Sequence, residues 1–344
     1  MKILLDYSIN ELKEMFSSQK SFVAEQIFSF AHNGKSVDEM TSLSKEFREY
    51  LKGEYVSVGA EVLKEFKGKE GTSKFLLKLV DNQLIECVFM ENNYGNTICV
   101  STQVGCRMGC KFCASGKDGL SRNLSAGEIL SQIVLVNRLK GGNISKRAIS
   151  NVVLMGSGEP LDNYDNVVKF FSLLNEKKGI NISERNVSLS TCGICDKIYS
   201  LADSGHHPTL TISLHAADDV SRKKIMPIAN KYSIDEIIKA TKYYFEKTGR
   251  RVIFEYSLIE GVNDSLDEAK KLSTLVKGFP SHVNLIRLNK VDGANLSCSG
   301  GAKKFLSALT SMGVSATIRR SLGSDVEGAC GQLKRRYLGE GQNC

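Results

Sequence analysis

Short apolar runs, separated by longer amphipathic segments, make up most of the chain after residue 96. Most of the runs are rich in Val and Ile, which is typical of strands buried on both faces. They are residues 97–101, 151–155, 187–191, 210–214, 252–258, 283–288 and 315–318. The segments between them have helical length, and three begin with a capping box, namely Ser125 with Glu128, Ser233 with Glu236, and Ser265 with Glu268.

This alternation predicts parallel strands joined by right-handed crossovers, and therefore an α/β fold. Six or seven such units over residues 97–344 predict a partial or complete (β/α) barrel. An open doubly wound sheet is the alternative, because a single sequence rarely settles whether a sheet closes. In a barrel, reactive groups belong at the carboxyl ends of the strands.

The first 70 residues predict short helices. Two further capping boxes, Ser8 with Glu11 and Ser36 with Glu39, mark helix starts in this region. We predict a small helical accessory domain at 1–70. Residues 74–80 and 85–90 then predict a β-hairpin in a linker region at 71–96, although the Leu-rich first run also permits a short helix.

The composition is that of a globular protein. Hydrophobic residues are 42% and charged residues 24% of the 344 residues, and only four are Pro. No apolar run approaches about 18 residues, so no membrane-spanning helix is expected, and the polar start at Lys2 and Asp6 does not fit a signal peptide. We therefore expect a cytoplasmic protein, in which the ten cysteines are reduced and serve metal binding or thiol chemistry.

The net charge of +8 suits a polyanionic partner such as a nucleic acid without requiring one. Small basic clusters occur at 222–224, 250–251, 319–320 and 334–336. Each of them could equally be a solvated face.

Three cysteines on one predicted loop carry the most specific chemistry. Cys106, Cys110 and Cys113 are separated by three and then two residues, and they follow the first barrel strand. Cysteine thiolates are the usual ligands of iron–sulfur clusters, and three ligands leave one iron of a four-iron cluster open. A zinc loop or three unrelated buried thiols are the alternatives, but zinc requires a fourth ligand and no His lies nearby in sequence.

With its surroundings, this motif resembles the radical S-adenosylmethionine (SAM) superfamily. Within that superfamily the chain is similar to the RlmN family of RNA adenine methyltransferases over about residues 6–337. The motifs that carry the resemblance are the segments 101–106, 122–124, 156–161, 213–215 and 329–333. The resemblance implies a radical SAM barrel, a [4Fe–4S] cluster on the three cysteines, and S-adenosyl-L-methionine as cofactor.

The resemblance also assigns catalytic roles. Cys330 would accept a methyl group from a first SAM molecule, and a radical from a second would activate it for addition to adenine carbon 2. Cys99 would then attack the sulfur of Cys330, releasing the product and leaving a transient disulfide, and Glu86 would accept a proton. Taken alone, Cys99 indicates a buried core thiol, Cys330 a small residue that allows close packing, and Glu86 a solvated carboxylate.

Seven residues match family positions that bind SAM. They are Gly158, Glu159, Ser190, Ser213, Leu214, His215 and Asn289. Alone, His215 could be a structural histidine whose ring nitrogens are satisfied. Cys192 and Cys195 form a Cys-x-x-Cys that the family pattern leaves unassigned, and we interpret it as a chance pair.

The resulting functional prediction is methylation of adenosine carbon 2 in 23S rRNA and tRNA. We expect a monomer with no membrane association, supplied with electrons by a donor such as flavodoxin or ferredoxin. One alternative is the related Cfr type, which modifies carbon 8, although Val104 before Gly105 favours the RlmN type. Another is a non-catalytic iron–sulfur or zinc RNA-binding protein.

Overall fold

The computed structural model describes residues 1–288 and 296–319, so Asn289 and Cys330 lie outside the described part of the chain. The N-terminal region contains three helices and a two-stranded parallel sheet, with capping boxes at Ser8 and Ser36 as predicted. Its elements are β1 (Lys2–Ile3), α1 (Ile9–Met15), α2 (Ser21–His32), α3 (Lys45–Glu54) and β2 (Tyr55–Val56).

A ten-stranded mixed sheet organises the rest of the described residues. Its first three strands are antiparallel to their neighbours, and they are β3 (Ala60–Lys67), β4 (Thr72–Leu79) and β5 (Leu84–Met90). Two short strands, β7 (Gln103–Gly105) and β8 (Leu120–Asn123), form a separate antiparallel pair. The parallel strands are β6 (Thr97–Cys99), β9 (Asn151–Leu154), β10 (Val187–Thr191), β11 (Thr209–Ser213), β12 (Val252–Leu258), β13 (Ser281–Arg287) and β14 (Ala316–Ile318).

The parallel strands lie side by side in chain order, from β6 through β9 to β14. A doubly wound sheet would reverse this order at a switch point, and no reversal occurs among the described strands. The order has two ends, β14 and β3, so the described sheet is a partial barrel. The prediction of a (β/α) barrel is confirmed in its partial form, and the doubly wound alternative is wrong.

Helices between the strands cover one face of the sheet. They are α4 (Ala126–Leu139), α5 (Tyr164–Leu174), α6 (Cys195–Asp203), α7 (Asp219–Ile225), α8 (Ile234–Thr248), α9 (Leu266–Val276) and α10 (Ala302–Ser311). Ile98, Leu189 and Phe254 are buried in one core with helix residues such as Ile133 and Ile237. Because side chains alternate along a strand, the strand residues directly before and after Ile98, Leu189 and Phe254 face the inside of the partial barrel. That inner face carries the polar groups described below.

Of these helices, the three for which a capping box is predicted begin at the predicted serines, but only two of the boxes form. Ser125 and Ser233 form capping boxes with the glutamates three residues later. Ser265 accepts from the Glu268 amide, but the Glu268 carboxylate binds Lys271 and Tyr256 instead of closing the box. Among the described helices, none combines the length and apolar character needed to cross a membrane.

The predicted hairpin is confirmed, since β4 and β5 pair antiparallel along their length. It also joins the large sheet, because β5 pairs with β6. The prediction of helices throughout the first 70 residues is wrong for 60–67, which form the edge strand β3. This strand is largely exposed on its outer side and carries a bulge between Val62 and Lys64.

Candidate functional site

The three predicted cluster cysteines lie on a loop held closed at its base by the β7–β8 pair. The Cys106 amide donates to the Gly119 carbonyl oxygen at 2.9 Å, which joins the two ends of the loop. Gly105 adopts a φ of +81°, and a Cβ there would lie 2.0 Å from that same oxygen. Only glycine therefore permits this closure.

The tip of the loop packs against helix α7. The Lys111 amide donates to the Ile225 carbonyl oxygen at 2.9 Å. Met108, Cys110 and Phe112 contact a small apolar cluster that includes Ile225. These contacts place the loop at the carboxyl ends of the parallel strands, where a barrel carries its chemistry.

The thiols of the loop influence one another electrostatically. Burial, with a contribution from the nearby Glu159 and Cys113, raises the pKa of Cys106 to about 12. Burial also raises the pKa of Cys110, and Cys113 and Cys106 add to that shift. Thiols in such surroundings stay protonated unless a bound metal supplies the positive charge that ionises them.

The loop fits an iron–sulfur cluster by its donor chemistry. Three cysteine sulfurs within eight residues match the ligands that such clusters take. Within residues 1–288 and 296–319, no three His, Cys, Asp or Glu side chains are already arranged as a metal site.

Gly158 and Glu159 lie beside the cysteine loop. Gly158 has a φ of +108°, and a Cβ there would lie 2.6 Å from Cβ of Gln103. The Gln103 side-chain oxygen accepts from the Glu159 amide at 2.8 Å. The buried Glu159 carboxylate accepts from the amides of Leu161 and Cys192, so its oxygens organise the backbone around the site. Burial raises the pKa of this carboxyl group, although those hydrogen bonds oppose the shift.

Ser190 and Ser213 meet on the inner face, at the ends of β10 and β11. Their hydroxyl oxygens are 3.2 Å apart, and each donates to the Glu255 carboxylate. Glu255 also forms an ion pair with Arg319 at 2.8 Å, and Arg319 Nη1 lies 3.9 Å from the sulfur of Met155. The structure therefore brings together residues from or directly after five strands, β9, β10, β11, β12 and β14, around one polar wall.

His215 follows Leu214 directly after β11 and is almost fully buried. Its Nδ1 accepts from the Ser257 amide at 3.0 Å, and its ring packs edge-on against Phe112 at 4.8 Å. Burial, with help from the Arg222 charge, lowers the pKa of His215 to about 3, so the ring is neutral at physiological pH. Since Nδ1 accepts, the proton is on Nε2. The φ of +55° is unusual for a residue other than glycine and is typical of functional sites.

Glu86 and Cys99 lie on the same inner face of the sheet. Val88 pairs directly with Cys99, and Glu86 is two residues from Val88, so all three point the same way. Cys87 points to the opposite face and belongs to the main core, from which Cys99 is absent. A cavity of about 80 Å³ next to the cysteine loop is lined by Glu86, together with Gly105, Ser115 and other residues.

Glu86 is not a solvated carboxylate. It is 5% exposed and forms an ion pair at 3.0 Å with Lys74, which is fully buried. Breaking a buried pair by removing one partner costs about 3–5 kcal/mol, because the other charge stays buried. We expect Lys74→Met to lower the free energy of unfolding by about 3 kcal/mol, measured by urea denaturation.

A matched control lies on the same strand. Lys78 pairs with Glu61, and both side chains are more than a third exposed. Lys78→Met should therefore cost no more than about 1 kcal/mol. Equal losses in the two variants would show that burial of the Lys74 pair is unimportant for stability.

The predicted basic clusters differ in position. Arg222 is fully buried, so the cluster at 222–224 is not a continuous surface patch. Arg250 and Arg251 directly precede β12. They therefore lie at the amino-terminal ends of the parallel strands, opposite the end that carries the cysteine loop. Arg319 is paired with Glu255, whereas Arg320 and the cluster at 334–336 lie outside the described residues.

Sequence reasoning missed Gln103, Arg222 and Glu255. A charged residue within the apolar run 252–258 was the available signal for Glu255, since charges are rarely buried without a function or a partner. Gln103 and Arg222 had no such signal, because their importance depends on partners distant in sequence.

Comparison with known proteins decides the family. The radical SAM superfamily matches residues 100–272. A crystal structure of a radical SAM methyltransferase from Sphaerobacter thermophilus has a TM-score of 0.92 at 38% identity, covering 96% of this chain and 99% of that chain. A Clostridium perfringens (strain 13 / Type A) protein named "Probable dual-specificity RNA methyltransferase RlmN" is 50% identical over 345 residues, 98% of each chain. A Clostridium acetobutylicum protein of the same name is 48% identical over 348 residues, 99% of each.

The chain belongs to the RlmN family.

Membership in the RlmN family makes the chain a radical SAM RNA methyltransferase. The alternative of a non-catalytic RNA-binding protein is therefore wrong. Radical SAM enzymes in general use SAM and a [4Fe–4S] cluster, which confirms the cofactor class predicted from the cysteine motif. The likeness to RlmN proteins extends over nearly the full chain and favours the carbon-2 reaction over the Cfr type.

Proposed function

We propose that this protein methylates carbon 2 of an adenosine in 23S rRNA and in tRNA. The observation that carries the proposal is the common inner face of Glu86 and Cys99, next to the cysteine loop. A thiol and a carboxylate in these positions match the release step that the family scheme requires. The RNA-methyltransferase names of relatives at about half identity support the substrate class.

We propose Cys106, Cys110 and Cys113 as the residues that would hold the cluster, which supplies the electron for radical formation from SAM. Gly158, Glu159, Ser190, Ser213, Leu214 and His215 would form the SAM site. Three observations support this site: the close backbone approach at Gly158, the paired hydroxyls of Ser190 and Ser213, and the neutral His215. Asn289 belongs to the same proposal but lies outside the described residues.

In the proposed reaction, Cys330 carries the methyl group as a thioether. That group would lose one hydrogen atom to the radical derived from a second SAM molecule, and its carbon would then bond to carbon 2 of the adenine. Glu86 takes the proton that leaves carbon 2. Cys99 gives up its thiol proton and forms a bond to the sulfur of Cys330, and the bond between that sulfur and the transferred carbon breaks. The transferred carbon takes up a proton and becomes the methyl group, and the one electron left from the radical addition would return to the cluster. The disulfide that results must be reduced by an external thiol before the next cycle.

Three measurements on anaerobically reconstituted protein test the proposal. Iron and sulfide analysis should give about four of each per chain. Reduced protein with SAM should release 5′-deoxyadenosine, and mass spectrometry of digested RNA should show 2-methyladenosine. Formation of 8-methyladenosine instead would establish the Cfr type, and absence of iron would contradict the cluster assignment.

Gly158→Ala tests the proposed SAM site. The new Cβ would press on Gln103, which orients the Glu159 amide, and strain of about 1–3 kcal/mol would weaken SAM binding roughly 5- to 150-fold. Isothermal titration calorimetry on the holoenzyme measures this, and iron content should be unchanged. Gly278→Ala is the matched control, because Gly278 also has a positive φ, of +94°, but open space around it. Equal SAM affinity in the two variants would contradict the assignment.

A further inference from the structure

Arg222 is a buried cation next to the cysteine loop. Its side chain is fully buried and originates from α7, the helix on which the loop tip packs. The loop and this helix share the apolar cluster of Cys110, Phe112, Cys192, Ile225 and Met226. Arg222 Nη2 donates to the Cys192 carbonyl oxygen, and Cys192 packs in that cluster with Cys110, which places the guanidinium on the Cys110 side of the loop.

Two of the three guanidinium nitrogens of Arg222 have acceptors. Nε donates to the Leu214 carbonyl oxygen at 3.0 Å, and Nη2 donates to the Cys192 carbonyl oxygen at 2.6 Å. These bonds fix the plane of the guanidinium, because its donors form a rigid fork. Nη1 is buried and has no acceptor among the described residues.

An unsatisfied charged donor costs more than a neutral one, so Nη1 requires an explanation. Pairing with Glu159 does not provide it. Arg222 and Glu159 bind opposite ends of one residue, since Glu159 accepts from the Cys192 amide while Arg222 donates to the Cys192 carbonyl. That arrangement uses Nη2, so Nη1 still has no acceptor among the described residues.

We propose that Arg222 is a positioning residue whose Nη1 donates a hydrogen bond to a sulfur on the Cys110 side of the cluster. This inference rests on the proposed cluster site and goes beyond it, because it assigns control of the cluster's reduction to a residue outside the cysteine motif. Net charge and hydrogen bonds to sulfur set the potential of iron–sulfur centres.

The expected effect has a definite sign. Reduction adds one electron, taken from a low-potential one-electron donor, and makes the site more negative. A fixed cation in a low-dielectric interior stabilises the reduced form more than the oxidised form. Removing the cation should therefore lower the potential and make reduction harder.

The test compares Arg222→Gln, Arg222→Lys and Lys223→Gln in reconstituted, SAM-free protein titrated with dithionite and followed by electron paramagnetic resonance. In Arg222→Gln the ratio of reduced to oxidised cluster at a given potential should fall about tenfold, equivalent to about 59 mV for one electron. Arg222→Lys keeps the charge but lacks the forked donors of the guanidinium. Its ratio of reduced to oxidised cluster should lie between those of Arg222→Gln and wild type. Lys223 is the matched control, since it is exposed on the same helix and its removal should leave the ratio unchanged.

The outcomes separate this inference from the proposed function. Wild-type protein without iron would contradict the cluster assignment itself. Full iron with an unchanged ratio in Arg222→Gln would overturn the role of Arg222 alone. The same unchanged ratio with weaker SAM binding would assign Nη1 to the cofactor carboxylate, which also overturns it.

A second measurement does not depend on any Arg222 variant folding. Protein labelled with ¹⁵N-arginine and reduced with dithionite should show a nitrogen coupling to the cluster by pulsed electron paramagnetic resonance. The coupling should persist in Arg107→Gln, which removes the exposed arginine of the cysteine loop. No coupling, or one lost with Arg107, would overturn the proposal.

Discussion

Replacing Cys106 by alanine is expected to abolish RNA methylation and 5′-deoxyadenosine formation together. Cys106 is the most buried thiol of the loop and is anchored by its amide to Gly119. Two remaining thiols would leave two iron positions without protein ligands, and the activity should drop on the order of 10⁴-fold or more. Iron analysis and product chromatography on the same sample measure both effects.

Cys195→Ala is the control for loss of a thiol. Cys195 lies at the start of α6, where its sulfur contacts the Gly193 carbonyl oxygen. This variant should retain iron and activity, in agreement with a chance Cys-x-x-Cys. If Cys106→Ala kept full iron, the assignment of the loop as the cluster site would be wrong.

Cys99→Ala is expected to trap RNA on the enzyme. In the proposed reaction the sulfur of Cys330 stays bonded to the adenine through the transferred carbon until Cys99 attacks that sulfur. Without Cys99 the carbon should still be added to the RNA but the adduct should not be resolved, so released product should fall to less than one per enzyme. Denaturing gel electrophoresis with labelled RNA would show a covalent protein–RNA band that wild type lacks.

Cys87→Ala is the matched control for Cys99. Both thiols are buried on neighbouring strands, but Cys87 faces the main core and Cys99 faces the inside of the barrel. Cys87→Ala should lose stability on the order of 1 kcal/mol and release RNA normally. Covalent RNA in Cys87→Ala, or none in Cys99→Ala, would contradict the release step.

The sequence predicts the parallel strands and the cysteine loop well because local patterns determine them. Residues 187–191 and 252–258 are apolar, β-branched or aromatic along most of their length, and both form strands with those bounds. Cys106, Cys110 and Cys113 follow the first barrel strand at short spacing, and the structure places them on one loop. These signals need no knowledge of the rest of the fold.

Features that depend on distant partners could not be predicted. Residues 60–67 contain Ala, Glu, Leu and Lys, which favour helices, but pairing with β4 makes them a strand. Arg222, followed by two lysines, resembles a surface charge until the structure shows its hydrogen bond to Cys192, thirty residues away in sequence. The Glu255–Arg319 pair likewise joins residues 64 positions apart.

The outer edge of the large sheet has a consequence for handling the protein. An open strand edge is a template on which another chain can add, and proteins counter this with charges and irregular backbone. Strand β3 has both, since it carries Glu61, Lys64, Glu65 and Lys67 and is interrupted by its bulge. The ten-stranded sheet ends at β3, where the charges and the bulge disfavour pairing with strands of neighbouring molecules, and this should help to keep the protein dispersed at the concentrations that spectroscopy of the proposed cluster requires.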